Sequence, residues 1–128
     1  MADPASIAVV AAGTAVGAPV RYLTDRFIQT RHDQLFPWGT FTVNITGSMI
    51  LGVLTALAVR GGLGPVWLLL LGTGFCGGLT TFSTFGYETL GLAEDGVVGA
   101  ALLNVVGSIV VGLIAAACGL GIGFWLSG

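Results

Sequence analysis

Four long apolar runs, parted by short polar stretches, take up nearly the whole chain. The first runs from about Ala5 to Leu23. Asp3-Pro4 marks its start, with Asp as N-cap and Pro at the first helical position. Gly13 and Gly17 form a GxxxG pair that lets another backbone come close. Arg21 follows four residues later on the same face, and Pro19 is placed to kink the last turn. The stretch from Thr24 to Trp38 carries Asp25, Arg26, Arg31, His32 and Asp33, so it is expected to be solvated, with Phe36-Pro37-Trp38 as an interfacial anchor. A second run spans about Gly39 to Val59 and holds Thr40, Asn44, Thr46, Ser48 and Thr55, an unusually polar set for lipid. Arg60 to Pro65 reads as a turn.

The third run opens strongly with Val66 to Leu71 and then loses its pattern between Gly72 and Glu88. Adjacent glycines followed by threonines form helix poorly, so this run is expected to be a helix broken near mid-membrane. Irregular backbone at that depth must be buried in protein or line a wet cavity. Ala93 to Gly96 is the next turn. The fourth run covers about Val97 to Leu126, and its Asn104, Ser108 and Gly112 recur at intervals of four as one small, polar stripe. The fold expected is all-α, a single four-span domain over 1–128 with spans at about 5–23, 39–59, 66–92 and 97–126.

Composition sharpens this into a membrane assignment. Charged residues make up 8% of the 128 positions and hydrophobic residues 55%, against about 25% charged in soluble domains. Mean hydropathy is +0.98. Four spans of about 20 residues would occupy roughly 80 positions, which leaves loops and no soluble domain. The chain has no lysine and a net charge of -2, which argues against nucleic acid as a partner. The start of the chain lacks the basic stretch of a signal peptide, so the first run is expected to be retained. Cys76 and Cys118 sit in apolar runs and read as buried small hydrophobes. The single histidine, His32, makes a metal site of the usual N/S type improbable.

With four spans, Arg21, Arg26 and Arg31 fall on one side and Arg60 on the other, so the charge rule favours neither orientation strongly. There is no internal repeat. Such a chain could insert both ways and build an inverted repeat by pairing two copies.

Candidate chemistry concentrates in Gly77 to Phe85. If helix resumes after the break, Phe82 and Phe85 share one face, Thr81, Thr84 and Glu88 a second, and Thr80, Ser83 and Tyr87 a third. On spacing alone the two Phe fit packing, and the hydroxyls fit bonds back to the preceding turn as well as donors to a solute. Asn44 and Asn104 could be interhelical glue or donors to a permeating anion. Arg21 could snorkel to headgroups, and Glu88 could be a solvated span-end carboxylate. No catalytic constellation is present, so no enzyme is expected. No acidic group lies deep in the first span, which counts against a small multidrug-type, proton-coupled transporter.

Three stretches carry a resemblance: Gly17-Ala18-Pro19-Val20-Arg21-Tyr22, then Trp38-Gly39-Thr40-Phe41-Thr42-Val43-Asn44-Ile45-Thr46-Gly47, then Gly74-Phe75-Cys76-Gly77-Gly78-Leu79-Thr80-Thr81-Phe82-Ser83-Thr84-Phe85. They resemble the signature blocks of the Fluc/CrcB fluoride channels. The resemblance implies a passive, fluoride-selective channel in the cell (inner) membrane that lets cytoplasmic fluoride out. It implies an antiparallel, dual-topology homodimer, so the partners expected are fluoride, a second copy of the chain and the lipid bilayer. It also implies a structural Na⁺ at the dimer centre on the backbone carbonyls of Gly77 and Thr80. By the same resemblance the fluoride pore takes Asn44, Phe82, Phe85, Ser83, Thr84 and Asn104, and the vestibule Arg21 and Glu88. Many members have Tyr where Asn104 aligns, so here an amide replaces that hydroxyl. The sign of the ion comes from the resemblance, since hydroxyls also accept. A non-conducting partner subunit of a heterodimer is the alternative.

Overall fold

The computed structural model describes residues 3–32 and 35–128; Asp33 lies outside the described residues. The described residues form helices joined by turns and short linkers, without strands, and four stretches are long and apolar enough to cross a membrane. Helix α1 runs Pro4–Gln29, α2 Trp38–Val59, α3 Pro65–Trp67, α4 Gly77–Leu79, α5 Phe82–Glu94 and α6 Val98–Ser127, with a π-helical stretch Leu68–Cys76 joining α3 to α4.

The helix ends follow from local chemistry. Asp3 accepts the Ser6 N–H at 2.7 Å with Pro4 at the first helical position. That bond holds the Asp3 carboxyl below the usual carboxylate range. Two helices end in the same carbonyl-satisfying motif. Gly61, at φ +79°, sends its N–H to Ala58 while Gly62 reaches Leu57; Gly96, at φ +82°, bonds Ala93 while Val97 reaches Leu92. Only glycine takes this left-handed conformation without strain.

Helix α1 does not stop at Leu23. It continues through Pro19 to Gln29, so Asp25 and Arg26 lie in a helix rather than in a polar loop. Gln29 closes the link to α2 by donating to the Phe36 carbonyl and accepting the Gly39 N–H. Phe36, Trp38 and Phe41 stack beside it, the first two with ring centroids 4.6 Å apart. The buried Phe36 and exposed Trp38 make an amphipathic end suited to a membrane surface.

The broadest packing is between α2 and α6. There a Cβ added at Gly119 would strike the Met49 carbonyl oxygen, one at Gly52 the Ala116 carbonyl oxygen, and one at Gly123 would stand 2.7 Å from that of Val53. Small residues let these backbones touch, which is how apolar helices gain contact when lipid offers the same hydrophobicity as their side chains. The second seam joins α1 to the π-helical stretch. Here Gly13 faces Leu70 and Phe75, Gly17 faces the Phe75 carbonyl, and Gly78 faces Thr14 and Ala18. Nine residues in the π state is an unusually long run, since such helix mostly occurs as single turns at functional sites. Thr14 supports it by donating to the Gly74 carbonyl at 3.1 Å. Cys76 is buried, whereas Cys118 lies exposed on α6, unlike the buried position its apolar run suggests.

Candidate functional site

Between α4 and α5, Thr80 (φ −86°, ψ 158°) and Thr81 (φ −151°, ψ 125°) are extended. In a continuous helix the Thr81 N–H would close onto the Gly77 carbonyl, the Phe82 N–H onto Gly78 and the Thr84 N–H onto Thr80. Each of these pairings is replaced or lost. The Thr81 N–H goes to Asn44 Oδ1 at 2.7 Å, and Asn44 Nδ2 returns to the Thr81 carbonyl at 3.0 Å. Arg21 Nε donates to the Gly78 carbonyl at 3.1 Å. The Thr84 N–H is capped by Thr81 Oγ1 at 3.2 Å. The carbonyls of Gly77 and Thr80 are therefore left without the donors a regular helix would give them.

Beside this point lies a cavity of about 630 Å³ whose wall includes Asn44, Ser48, Gly77, Thr80, Phe82 and Phe85. The Phe82 and Phe85 centroids are 5.9 Å apart with planes at 39°, so the two rings touch, and Phe82 is 84% exposed. A ring edge carries partial positive charge and can face an anion without a formal countercharge. Several hydroxyls bond back to the turn before them: Ser48 to the Asn44 carbonyl, Thr80 to Cys76, Thr89 to Phe85. Thr81 gives its hydrogen to Thr84 at 3.0 Å, which leaves the Thr84 hydrogen unspent, and Ser83 stands 3.4 Å from Thr81 Oγ1. Ser83 and Thr84 are next to the cavity in sequence but not in its wall.

Asn44 serves both of the roles open to it from sequence: it joins α2 to Thr81 and also forms part of the cavity wall. Asn104 is 1% exposed, donates to Thr89 at 2.8 Å and accepts from Ser108 at 3.3 Å, so it joins α6 to α5 behind the wall. Arg21 is half-buried and turned to the Gly78 carbonyl rather than outward to headgroups. The remaining arginines are occupied elsewhere. Arg26 bonds the Tyr22 hydroxyl, Arg31 lies over the Phe27 ring and Arg60 over Phe124.

Glu88 lines a second cavity of about 380 Å³ near the end of α5, with Tyr87, Glu94 and Asp95. It is half-buried beside the Thr40 hydroxyl and Asp25. Asp25 Oδ1 packs against Gly39, the neighbour of Thr40. One oxygen of each carboxylate is buried with no hydrogen-bond partner. Asp25 is thus partly withdrawn from water, with one oxygen buried, contrary to the solvated segment its neighbours suggest. The reason is the extra length of α1, which carries Asp25 onto the first turn of α2.

Three contributors were not legible as site residues: Thr14, Asp25 and Thr89. Thr89 carried a usable signal, four residues after Phe85, where a threonine in a helix reaches back to a carbonyl. Thr14 and Asp25 act across helices, and nothing local marks their partners.

Known proteins resemble this chain along most of its length. The family profile described as "CrcB-like protein, Camphor Resistance (CrcB)" matches residues 8–120. A protein of Frankia casuarinae named "Fluoride-specific ion channel FluC 1" is 56% identical over 117 residues, covering 87% of this chain and 90% of its own length. The protein of the same name from Streptomyces avermitilis is 54% identical over 112 residues, covering 88% and 90%. A "Fluoride-specific ion channel FluC" of Acidobacterium capsulatum is 44% identical over 115 residues, covering 89% and 92%.

Proposed function

The chain belongs to the CrcB-like family, and from that premise we propose that it is a multi-pass membrane channel that passes fluoride passively and relieves the cytoplasm of it. The observation that carries this reading is the cavity at the Thr80–Thr81 interruption, where an amide, hydroxyls and two touching phenyl rings meet. Fluoride is small, strongly hydrated and a strong hydrogen-bond acceptor. A pore must replace its water with donors yet hold it weakly enough to let it leave. In the wall, Asn44 keeps its second amide hydrogen after bonding Thr81; the unspent hydroxyl hydrogen of Thr84 lies outside the wall. The edges of Phe82 and Phe85 add attraction without a full charge that would trap the ion. No proton-driven step is required by these groups.

The third span is read as a helix broken within the membrane, supported by the extended Thr80 and Thr81. The working unit is read as an antiparallel homodimer of dual topology. A phenyl ring 84% exposed at a cavity wall supports a covering second copy, and the near balance of arginines between the two sides supports insertion both ways. A structural Na⁺ on the carbonyls of Gly77 and Thr80 from both copies fits these residues, because both carbonyls have lost their helical donors. Neutral oxygens suit Na⁺ better than Mg²⁺, which favours carboxylates and retained waters. When bound, the ion would neutralise carbonyl dipoles that lipid cannot.

Liposomes loaded with fluoride and containing only this protein test the reading. Rapid fluoride efflux with chloride retained is expected, with no need for a proton gradient. Equal chloride efflux, or no fluoride efflux from folded protein, would sink it. A chain that conducts only when mixed with a second, related chain would establish the heterodimer instead.

A further inference from the structure

The Phe85 carbonyl ends a chain of three hydrogen bonds that the reading above leaves unused. Thr89 Oγ1 stands 2.7 Å from that carbonyl, Asn104 Nδ2 2.8 Å from Thr89 Oγ1, and Ser108 Oγ 3.3 Å from Asn104 Oδ1. The direction of every bond is fixed from one end. A carbonyl only accepts, so Thr89 spends its single hydrogen on Phe85. Thr89 must then accept from Asn104, which turns the NH₂ of the amide towards α5. The amide oxygen therefore faces Ser108, and Ser108 gives its hydrogen to it. Ser108 lies in the wall of the larger cavity. While the chain is closed, that wall presents the oxygen of Ser108 to the cavity, not its hydrogen.

We propose that Thr89 and Asn104 are positioning residues of the pore, whose directed hydrogen-bond chain locks the Phe85 turn to α6 and holds the Ser108 hydroxyl as an acceptor until an anion in the cavity takes its hydrogen. The proposal rests on the cavity being the anion's path. Its geometry assigns the motion to one place. The bonds at 2.7 and 2.8 Å are short, and Asn104 is 1% exposed, so that end is fixed. The 3.3 Å link is the longest and yields first. Turning the Ser108 hydroxyl breaks only that link, and the fixed pair keeps the Phe85 backbone where it was.

The test uses the full-length protein in liposomes, with site-specific 4-fluorophenylalanine at position 85 as a second readout. Thr89→Val keeps the shape of the side chain and removes its hydrogen; Thr89→Ser keeps the hydrogen. Fluoride flux is expected to fall about tenfold in Thr89→Val and in Asn104→Leu, the scale of one lost buried hydrogen bond. The double variant should be no worse than either alone, because the pair acts as one unit. Thr89→Ser should conduct like the unaltered chain. The ¹⁹F resonance at position 85 should shift in Thr89→Val and Asn104→Leu and stay in place in Thr89→Ser. Ser108→Ala should lower flux about threefold, as a donor is lost, with the resonance unmoved. If Thr89→Val does not yield folded protein, Asn104→Leu carries the comparison. Native flux with an unmoved resonance in Asn104→Leu, equal damage from Thr89→Ser and Thr89→Val, or higher flux in Ser108→Ala each overturns the proposal. An unaltered chain that passes no fluoride, with the resonance shifting as expected, would overturn the fluoride reading and leave the positioning pair standing.

Discussion

The α2–α6 seam and the α1 seam beside Thr80–Thr81 are both built on glycine, yet they treat backbone polar groups in opposite ways. Along α2–α6, Gly52, Gly119 and Gly123 bring intact helices together, and each carbonyl at the contact stays in its own ladder. Along α1, Gly13, Gly17 and Gly78 allow the same closeness, but side chains then reach the carbonyls: Thr14 at Gly74 and Arg21 at Gly78, with Asn44 reaching Thr81 from α2. The first contact is van der Waals packing and carries stability. The second hands the bonds missing at Thr80–Thr81 to Arg21 and Asn44, adds one from Thr14 to a carbonyl that keeps a backbone donor, and so leaves backbone and amide groups beside a cavity. Close backbone approach is common to both; what differs is whether the neighbouring helix supplies a donor.

That contrast is most easily broken at Asn44. Asn44→Leu leaves the Thr81 N–H unpaired, at about 1–3 kcal/mol, and takes from the Thr81 carbonyl the donor it has besides its own helix. Fluoride flux is expected to fall about tenfold to a hundredfold, on the scale of 1.4 kcal/mol per decade, and native flux would show that the interruption holds itself. Gly119→Val probes the other seam by driving a side chain into the Met49 carbonyl. Overpacking of this kind costs about 1–3 kcal/mol, visible as a lower midpoint of thermal unfolding in detergent. The channels that do fold should conduct near the native rate; loss of conduction in fully folded protein would erase the distinction between the seams.

Arg21→Lys removes one hydrogen bond rather than two. Lysine keeps the charge but not the planar donor set that reaches Gly78, and about a tenfold loss of flux is expected. Retention of full flux would mean that charge alone is sufficient. The smallest effects belong to the rings. Phe82→Ile or Phe85→Ile preserves apolar bulk and removes the quadrupole, worth about 0.5–1.5 kcal/mol. Flux should fall about threefold to tenfold on that scale, with the protein still folded. Unchanged flux in both variants would return the rings to simple packing.

The four spans were legible because apolar runs of this length leave no other solution, whereas the glycines that suggested a break, Gly77 and Gly78, stay helical and the extended backbone falls at Thr80 and Thr81. The length of α1 was not legible. Arg26, Arg31 and Asp25 look like loop chemistry, yet the helix carries Asp25 onto Gly39, where a residue without a side chain makes room for it. The partners of Arg21 and Asn44 were also hidden. Each lies far along the chain from the carbonyl it serves, and residue type alone pointed to glue or anion binding for Asn44 and to the headgroups for Arg21. The π-helical run has no local marker either, since Leu68 to Leu71 would suit an ordinary helix; its support comes from Thr14 on α1.

The central claim is that the cavity beside Thr80–Thr81 passes fluoride passively and in preference to other anions. The most direct measurement is the reversal potential of purified protein in a planar bilayer, under a tenfold fluoride gradient with chloride equal on both sides. A passive, fluoride-selective pore should reverse at about 59 mV, the value for a tenfold gradient of a monovalent ion, and should not move when a pH gradient is imposed. A reversal potential near zero, or one that follows the proton gradient, would contradict the account.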